Sequence, residues 1–164
     1  VESECKQLND EVLNLYKQSC YSGKGAVLMS VCRGRNSEGI DFKDELARCV
    51  MIIGIPYPNP SDEKVILKME SLDKSLKEKN KLKNNTPGHI DTRQAISGKE
   101  WYKQQAFRAV NQACGRVIRH KNDYGLILLV DRRYSNEKNK PFMQAWLHPV
   151  YPKRHFVDFE YYAK

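Results

Sequence analysis

Cys49-Val-Met-Ile-Ile-Gly-Ile55 is an unbroken apolar run that ends at Pro56, the first of three closely spaced prolines. The run is too short to cross a bilayer and has the length of a buried strand. Two similar runs, residues 26–32 and 126–131, lie on either side of it. Strands that are apolar on both faces are typical of a parallel sheet that helices cover on both sides. The sequence therefore predicts an α/β layered domain.

Helical periodicity fills the stretches between these strands. Apolar residues recur at spacings of three and four over residues 2–19 and, more weakly, over residues 61–83. Ser97 followed by Glu100 forms a capping box that opens a helix to about Ile118. Residues 84–96 are expected to be a loop and residues 141–147 a last short helix. With no internal repeat or linker, residues 1–164 predict a single domain.

The charge balance points to a partner that is a polyanion. The 164 residues carry 28 Lys and Arg against 20 Asp and Glu, a formal net charge of +8. Nucleic acid and nucleotide phosphates both suit such a chain. Residues 74–83 contribute five of the lysines. A solvated helix end leading into a variable loop, a nucleic-acid contact and a localisation signal are all open interpretations of that run.

The cysteines and the first residues indicate a reduced, intracellular protein. The five cysteines are an odd number without a Cys-x-x-Cys pair, so neither a disulfide framework nor a metal site is expected. Residues 1–10 are polar and acidic, unlike a secretory signal.

Three partial motifs fail on chemistry. Residues 34–39 have the glycine frame of a phosphate-binding loop, but Ile40 and Asp41 stand where lysine and a hydroxyl are needed. Arg35 replaces the first glycine of a nucleophile elbow around Ser37. Residues 127–131 resemble a Walker B strand, yet two arginines follow Asp131 and would oppose a metal. The sequence therefore predicts no metal ligands and no complete active site.

Two constellations remain. On a helix, Gln112, Arg116 and Arg119 would lie within about 60° of one another, forming a rigid set of donors for oxyanions. Residues 31–42 follow a strand directly, at the edge where parallel sheets bind ligands. They combine two glycines, a hydroxyl and two acids. A solvated helix face and an ordinary connecting loop are the alternative interpretations.

Both constellations resemble known helicase motifs. Ser37-Glu-Gly-Ile-Asp-Phe42 resembles motif V of superfamily 2, and Gln112-Ala-Cys-Gly-Arg-Val-Ile-Arg119 resembles motif VI. The residues of both motifs are similar to those of the XPD-like iron–sulfur DNA helicases. Val31-Cys-Arg-Gly34, Gly54-Ile-Pro-Tyr-Pro58 and Trp101-Tyr-Lys-Gln-Gln-Ala106 are nearest to the branch of the regulator of telomere elongation helicase, with the Fanconi anaemia group J branch second.

The resemblance implies a RecA-like parallel sheet with helices on both faces, the second motor domain of an ATP-dependent 5′-to-3′ DNA helicase. On the family pattern, Arg116 and Arg119 are arginine fingers, and Gln112 helps to position the γ-phosphate or an arginine. Glu38, Gly39 and Asp41 border the nucleotide, whereas Arg33 and Ser37 contact the DNA backbone.

The first half of the family pattern has no match here. That half carries the family's Walker A loop, acid pair and cluster cysteines. The resemblance therefore implies that ATP, Mg²⁺ and a 4Fe–4S cluster are bound with the first motor domain of the same protein, and that this fragment alone is inactive. The resemblance further implies single-stranded and duplex DNA as partners, DNA repair, recombination or telomere maintenance as the process, and the nucleus as location. A non-catalytic α/β module that binds nucleic acid or a protein is the alternative.

Overall fold

The computed structural model describes residues 6–34, 42, 44–85, 95–118 and 122–150. The chain forms two compact units, Val1–Ile55 with Asn111–Lys164 and Pro56–Val110. The prediction of a single domain over residues 1–164 stays a prediction. Among the described residues, no helix is both long and apolar enough to span a membrane.

The first unit contains a parallel pair of strands. Strand β1 (Cys49–Ile53) pairs with β2 (Leu126–Val130), with Cys49 opposite Leu126 and Ile53 opposite Val130. This confirms both apolar runs as strands and the parallel arrangement. Among its described residues, the buried hydrophobic side chains are Leu46, Ile52, Ile55, Cys114, Val117, Tyr134, Met143 and Leu147.

The amino ends of the two strands are held by an ion pair. Arg48 precedes β1, and its guanidinium lies 2.8 Å from the carboxylate of Asp123 and 4.3 Å from the ring centre of Tyr124. The carboxylate is 1% exposed, so its charge is desolvated and needs this partner. The pair joins the residues that enter β1 and β2 and so fixes their register.

Helix α1 (Lys6–Tyr21) agrees with the predicted helix at residues 2–19. Its Tyr16 hydroxyl donates to the carbonyl oxygen of Leu46 at 2.6 Å, and its ring meets Phe42 edge to face at 5.9 Å. These contacts dock α1 on the short 3-10 helix Asp44–Leu46 that leads into β1.

The predicted strand at residues 26–32 is wrong for this structure. The segment has no regular secondary structure, and Val27, Met29 and Val31 are well exposed. An apolar run becomes a strand only where a neighbour supplies hydrogen-bonding partners. Within the described ranges β1 and β2 pair with each other, and the run pairs with neither.

The second unit contains α2 (Glu63–Asn85) and most of α3 (Gly98–Cys114). The Ser97 hydroxyl accepts from the Glu100 N–H at 3.2 Å, which confirms the predicted helix start. Asp73 on α2 accepts from the Gly98 N–H at 2.8 Å. A Cβ on Gly98 would lie 2.5 Å from the Met69 carbonyl oxygen, so only glycine allows α2 and α3 to approach so closely.

The remaining core of the second unit lies along α3, where Ala106, Phe107, Ala109 and Val110 are buried. The ring of Tyr102 stacks on Tyr57 with centres 5.2 Å apart, and its hydroxyl donates to the Pro58 carbonyl oxygen at 2.7 Å. The proline-rich stretch after β1 is therefore anchored on α3.

Two predicted boundaries differ from the structure. Helix α3 ends at Cys114 rather than near Ile118, and residues 115–117 form a turn. The last predicted helix is instead a pair of 3-10 helices, Glu137–Phe142 and Ala145–Val150. Pro141 has no N–H to donate, which disfavours an uninterrupted α-helix through it.

Candidate functional site

The carboxyl ends of β1 and β2 lie side by side because the strands are parallel. Gly54 follows β1, and its N–H donates to the Val130 carbonyl oxygen at 3.0 Å. Its own carbonyl oxygen accepts from the Tyr134 hydroxyl at 2.9 Å. With a φ of +77°, Gly54 adopts a left-handed conformation that disfavours residues with a Cβ. Gly54 thus links β1, β2 and Tyr134 by hydrogen bonds at the sheet edge where such folds bind ligands.

Tyr134 is a buried residue at this edge of the sheet. It is 1% exposed, and burial raises the pKa of its hydroxyl. Cys114, Asp131 and Cys32 raise that pKa further when they are ionised, whereas the Arg133 charge lowers it in part. These three groups come from the end of α3, the end of β2 and the segment before Arg33. Tyr134 therefore stays protonated, and groups from three segments of the chain influence its hydroxyl.

The thiols around Tyr134 are free and behave as small apolar groups. Burial raises the pKa of Cys114 to about 11. Burial also raises the pKa of Cys32, although the Arg33 charge lowers it in part. Both thiols are therefore protonated near neutral pH, so neither is an activated nucleophile.

Asp131 follows β2 and is fully engaged by the protein. Its carboxylate accepts from the Arg133 backbone N–H at 2.8 Å and from the Arg133 guanidinium at distances between 2.7 and 3.1 Å. The hydrogen bonds from Arg133 are the main reason that the pKa of Asp131 is lowered. This carboxylate caps the 3-10 helix Arg132–Ser135 rather than facing an open metal position. Within the described ranges, no group of three or more His, Cys, Asp or Glu residues is arranged to hold a metal ion.

Arg33 stands in a strained turn. The Gly34 N–H donates to the Val31 carbonyl oxygen at 2.9 Å, which closes a four-residue turn with Arg33 at its third position. Arg33 has a φ of +70°, as a type II turn requires there, and its side chain is exposed. Such a conformation costs a non-glycine residue about 1–3 kcal/mol. The turn presents this arginine to solvent at the end of the segment that reaches Tyr134.

The end of α3 presents Gln112 and Arg116 differently from the predicted line of donors. Gln112 is exposed on the last helical turn, whereas Arg116 lies in the following turn, where its N–H donates to the Ala113 carbonyl oxygen at 3.2 Å. The prediction of one continuous helix through all three donors is therefore wrong. A Cβ at Gly115 would meet the carbonyl oxygen of Asn111 at 3.3 Å, so this glycine relieves crowding within its own turn.

Arg116 is held between two buried neighbours. Cys114 is fully buried and Val117 is 2% exposed. Val117 packs so closely against Gly125, just before β2, that a Cβ on this glycine would clash with it. Arg116 is itself half-buried, with its Nε atom inaccessible to solvent. The Arg116 side chain is therefore partly packed within the first unit rather than fully exposed on a helix surface.

The other predicted site residues lie outside the described residues. These are Ser37, Glu38, Gly39, Asp41 and Arg119. Of the predicted site, the structure describes Arg33, Gln112 and Arg116. The segments that carry Arg33 and Arg116 both approach Tyr134, since Cys32 and Cys114 influence its hydroxyl.

Sequence reasoning missed two residues that build this region. Tyr134 follows a pair of arginines and carries no motif of its own. The side-chain amide of Asn111 donates to the Phe142 carbonyl oxygen at 2.8 Å, and its Oδ1 accepts from the Gln144 N–H at 3.1 Å. These bonds anchor the last turn of α3 beside Gln112. A polar residue next to the apolar stripe of α3 was the available signal for Asn111.

Comparison with known proteins assigns the class. Residues 2–150 match the family described as the helicase C-terminal domain. The chain therefore belongs to this family, within the XPD-like helicases, and has their α/β RecA-like fold. It is a helicase motor domain.

Its relatives include regulators of telomere elongation. The chain is 49% identical over 125 residues to the regulator of telomere elongation helicase 1 homolog of Aedes aegypti. These residues are 76% of this chain and 11% of that relative. It is 44% identical over 151 residues to the regulator of telomere elongation helicase 1 of Rattus norvegicus, covering 91% of this chain and 11% of the relative. The Anopheles gambiae homolog is 46% identical over 127 residues, which are 77% of this chain and 12% of the relative. The chain thus spans about a tenth of the length of these relatives.

Proposed function

We propose that this chain is the C-terminal motor domain of an ATP-dependent helicase that unwinds DNA in the 5′-to-3′ direction. Membership of the helicase C-terminal domain family supports the motor, and the names of the relatives support a role in telomere maintenance. DNA repair and recombination are the other processes that we propose for it. Such a protein works in the nucleus, where a basic chain meets its DNA. The partners are single-stranded and duplex DNA and the first motor domain of the same protein.

The position of Arg116 is the observation that carries the proposal. Arg116 lies in a turn between the buried residues Cys114 and Val117, and its side chain is half-buried with an inaccessible Nε atom. In the proposed reaction Arg116 and Arg119 approach the γ-phosphate of ATP held by the first motor domain. Each stabilises the negative charge that spreads over the transferring phosphoryl group. An arginine finger of this kind is worth about 10³–10⁵ in rate.

The neighbouring residues bind and orient. Gln112, exposed on the last turn of α3, positions the γ-phosphate or an arginine, while Glu38, Gly39 and Asp41 border the nucleotide. Arg33 and Ser37 contact phosphates of the translocating strand. The strained turn at Arg33 supports this assignment, because strained backbone at an exposed charged residue is typical of functional sites.

The described residues do not fit a resident metal or cluster. The Asp131 carboxylate is occupied by Arg133, and the free cysteines Cys20, Cys32, Cys49 and Cys114 form no cluster with one another. We therefore assign Mg²⁺ and the 4Fe–4S cluster to other parts of the full-length protein. This chain contributes the arginines and part of the single-strand track.

The proposed mechanism couples ATP hydrolysis to movement along the DNA strand. Closure of the two motor domains on ATP brings the arginines to the phosphate, and reopening after hydrolysis moves the strand by ratcheting. In the first unit, Tyr134 joins the segment before Arg33 to the end of α3, next to Arg116. We propose that this region around Tyr134 couples the DNA contact at Arg33 to the ATP contact at Arg116.

The test is Arg116→Ala in the full-length protein. We expect ATP hydrolysis at saturating DNA to fall by about 10³-fold or more, with the Kd for DNA nearly unchanged. Arg132→Ala, at an exposed arginine outside the proposed site, is the matched control and should retain hydrolysis.

Two outcomes contradict the proposal. Undiminished hydrolysis by Arg116→Ala removes the arginine-finger role. A loss of DNA affinity with a reduced salt slope and no specific loss of hydrolysis favours the alternative, a non-catalytic nucleic-acid-binding module. The isolated 164-residue chain should show no multiple-turnover hydrolysis, because it lacks a Walker A match.

A further inference from the structure

The lysine-rich stretch of the sequence is helical. Helix α2 continues to Asn85, so the lysine run at residues 74–83 lies entirely on helical backbone. From Lys74 to the end of α2 there are five lysines and one acid, Glu78, a formal charge of +4. A helix holds these charges at fixed separations, which a loop does not.

Three of the lysines share one side of α2. At about 100° per residue, Lys74, Lys77 and Lys81 lie within about 60° of one another. We call these three residues the lysine face of α2. The half-buried apolar residues of α2 lie on the other side of the helix, about 140° away, and are Val65, Met69, Leu72 and Leu76. The lysine face is exposed along its length of about 10.5 Å.

The described part of the chain does not neutralise the charges of the lysine face. Among the residues that the structure describes, none of these lysines takes part in an ion pair. Glu70 and Glu78 each lie four residues from Lys74, but neither is paired with it in this structure. The helix dipole favours positive charge only in the last turn, whereas Lys74 and Lys77 lie at least two turns before Asn85.

We propose that the lysine face binds the phosphate backbone of duplex DNA, in addition to the DNA contact proposed for Arg33. The inference rests on the proposed function in taking the polyanion to be DNA. Over about 10.5 Å a duplex presents roughly six phosphate charges, so three lysines in line have partners within reach. Proteins that bind single strands combine positive charge with stacking aromatic side chains. Helix α2 contains no aromatic residue, which favours the duplex over the unpaired strand.

The experiment measures DNA binding by the full-length protein without ATP, so arginine-finger chemistry does not enter. The variant is Lys74→Gln, Lys77→Gln and Lys81→Gln combined, and the probe is a blunt 20-base-pair duplex with a fluorescent label. Each lost phosphate contact lowers the slope of log K against log salt by about 0.9. We expect a total decrease of about 2–3 and at least tenfold weaker binding at about 0.1 M salt. The matching single strand should lose much less affinity.

The control variant removes the same charge elsewhere. Lys24→Gln, Lys64→Gln and Lys68→Gln combined replaces exposed lysines outside the lysine face and should change the slope by less than one contact. Replacing the lysine face by three arginines should restore binding. Helical circular dichroism checks that each variant is folded.

Several results would overturn the inference. An unchanged slope means that the lysine face is only solvated. Equal weakening by the two triple variants means a general charge effect. If the single strand loses as much affinity as the duplex, the duplex is not the occupant. If DNA binding persists while binding of poly-glutamate is lost, the surface fits an acidic protein instead. Each of these outcomes leaves the Arg116 test of the proposed function unaffected.

Discussion

The hydroxyl of Tyr134 donates a hydrogen bond of 2.9 Å to the carbonyl oxygen of Gly54. Tyr134 is buried one turn beyond β2, and Gly54 ends β1, so this bond ties the carboxyl ends of the two strands together. Cys32, which precedes Arg33, and Cys114, two residues before Arg116, also influence the pKa of this tyrosine. The bond therefore supports the edge on which the candidate site is built.

Tyr134→Phe should destabilise the protein by about 1–2 kcal/mol. The substitution keeps the buried ring but leaves the Gly54 carbonyl oxygen without its donor, and a buried unsatisfied group costs about that much. Urea unfolding followed by circular dichroism measures the change. Tyr124→Phe is the control, since Tyr124 is 70% exposed and should change by less than about 0.5 kcal/mol. Equal effects at both positions would show that the Gly54 bond contributes nothing.

Arg33→Gly should stabilise the fold while weakening DNA binding. Glycine adopts the φ of +70° without the steric cost borne by arginine, so a gain of about 1 kcal/mol is expected. Arg33→Ala keeps the strain and loses the same charge, so it should weaken DNA binding equally with no gain in stability. Thermal unfolding and a salt titration of DNA binding separate the two effects. Loss of stability in Arg33→Gly would contradict the turn assignment.

Gly98→Ala should destabilise the second unit by about 1–3 kcal/mol. The new Cβ would press on the Met69 carbonyl oxygen and disturb the bond from the Gly98 N–H to Asp73. Lys99→Ala changes the adjacent exposed residue and serves as the control. Chemical denaturation of both variants gives the comparison. A neutral Gly98→Ala would mean that α2 and α3 separate at no cost.

Alkaline pH should reduce stability partly through Tyr16. Burial, with Cys20 beside it, raises the pKa of Tyr16 from 10.0 to about 12. Because the folded state holds this proton more tightly, its contribution is complete below pH 10 and is lost as pH rises from 10 to about 12. The free energy of unfolding, measured with urea at several pH values across that window, should fall less steeply for Tyr16→Phe than for the unmodified protein.

Tyr21→Phe, at an exposed tyrosine on the same helix, should retain the slope of the unmodified protein. If Tyr16→Phe has the same pH profile as the unmodified protein, Tyr16 is not the titrating group.

Much of the secondary structure followed from local chemistry. The apolar run at residues 49–55 and its counterpart before Asp131 predicted two parallel strands, because continuous apolarity suits a sheet buried on both faces. Ser97 and Glu100 predicted where α3 begins, since the cap is a contact between near neighbours in sequence. The motifs also identified Gln112 and Arg116 as candidates before any geometry was known.

Other features depended on groups far apart in sequence. Residues 26–32 have a strand's composition, yet no strand forms there, because pairing requires a neighbour that sequence pattern does not supply. Helix α3 ends at Cys114, and the turn that follows brings Val117 against Gly125, a contact between residues of separate segments. The importance of Tyr134 likewise arises from elements distant in the chain.

The sequence by itself determined the α/β class, the helicase motifs and the residue types able to meet phosphate, because these depend on composition and local spacing. Tertiary structure decided that Arg116 is held by a core rather than borne on a helix face. It also decided that Tyr134 closes the sheet edge. These are relations between separate segments, and only packing brings such segments within bonding distance.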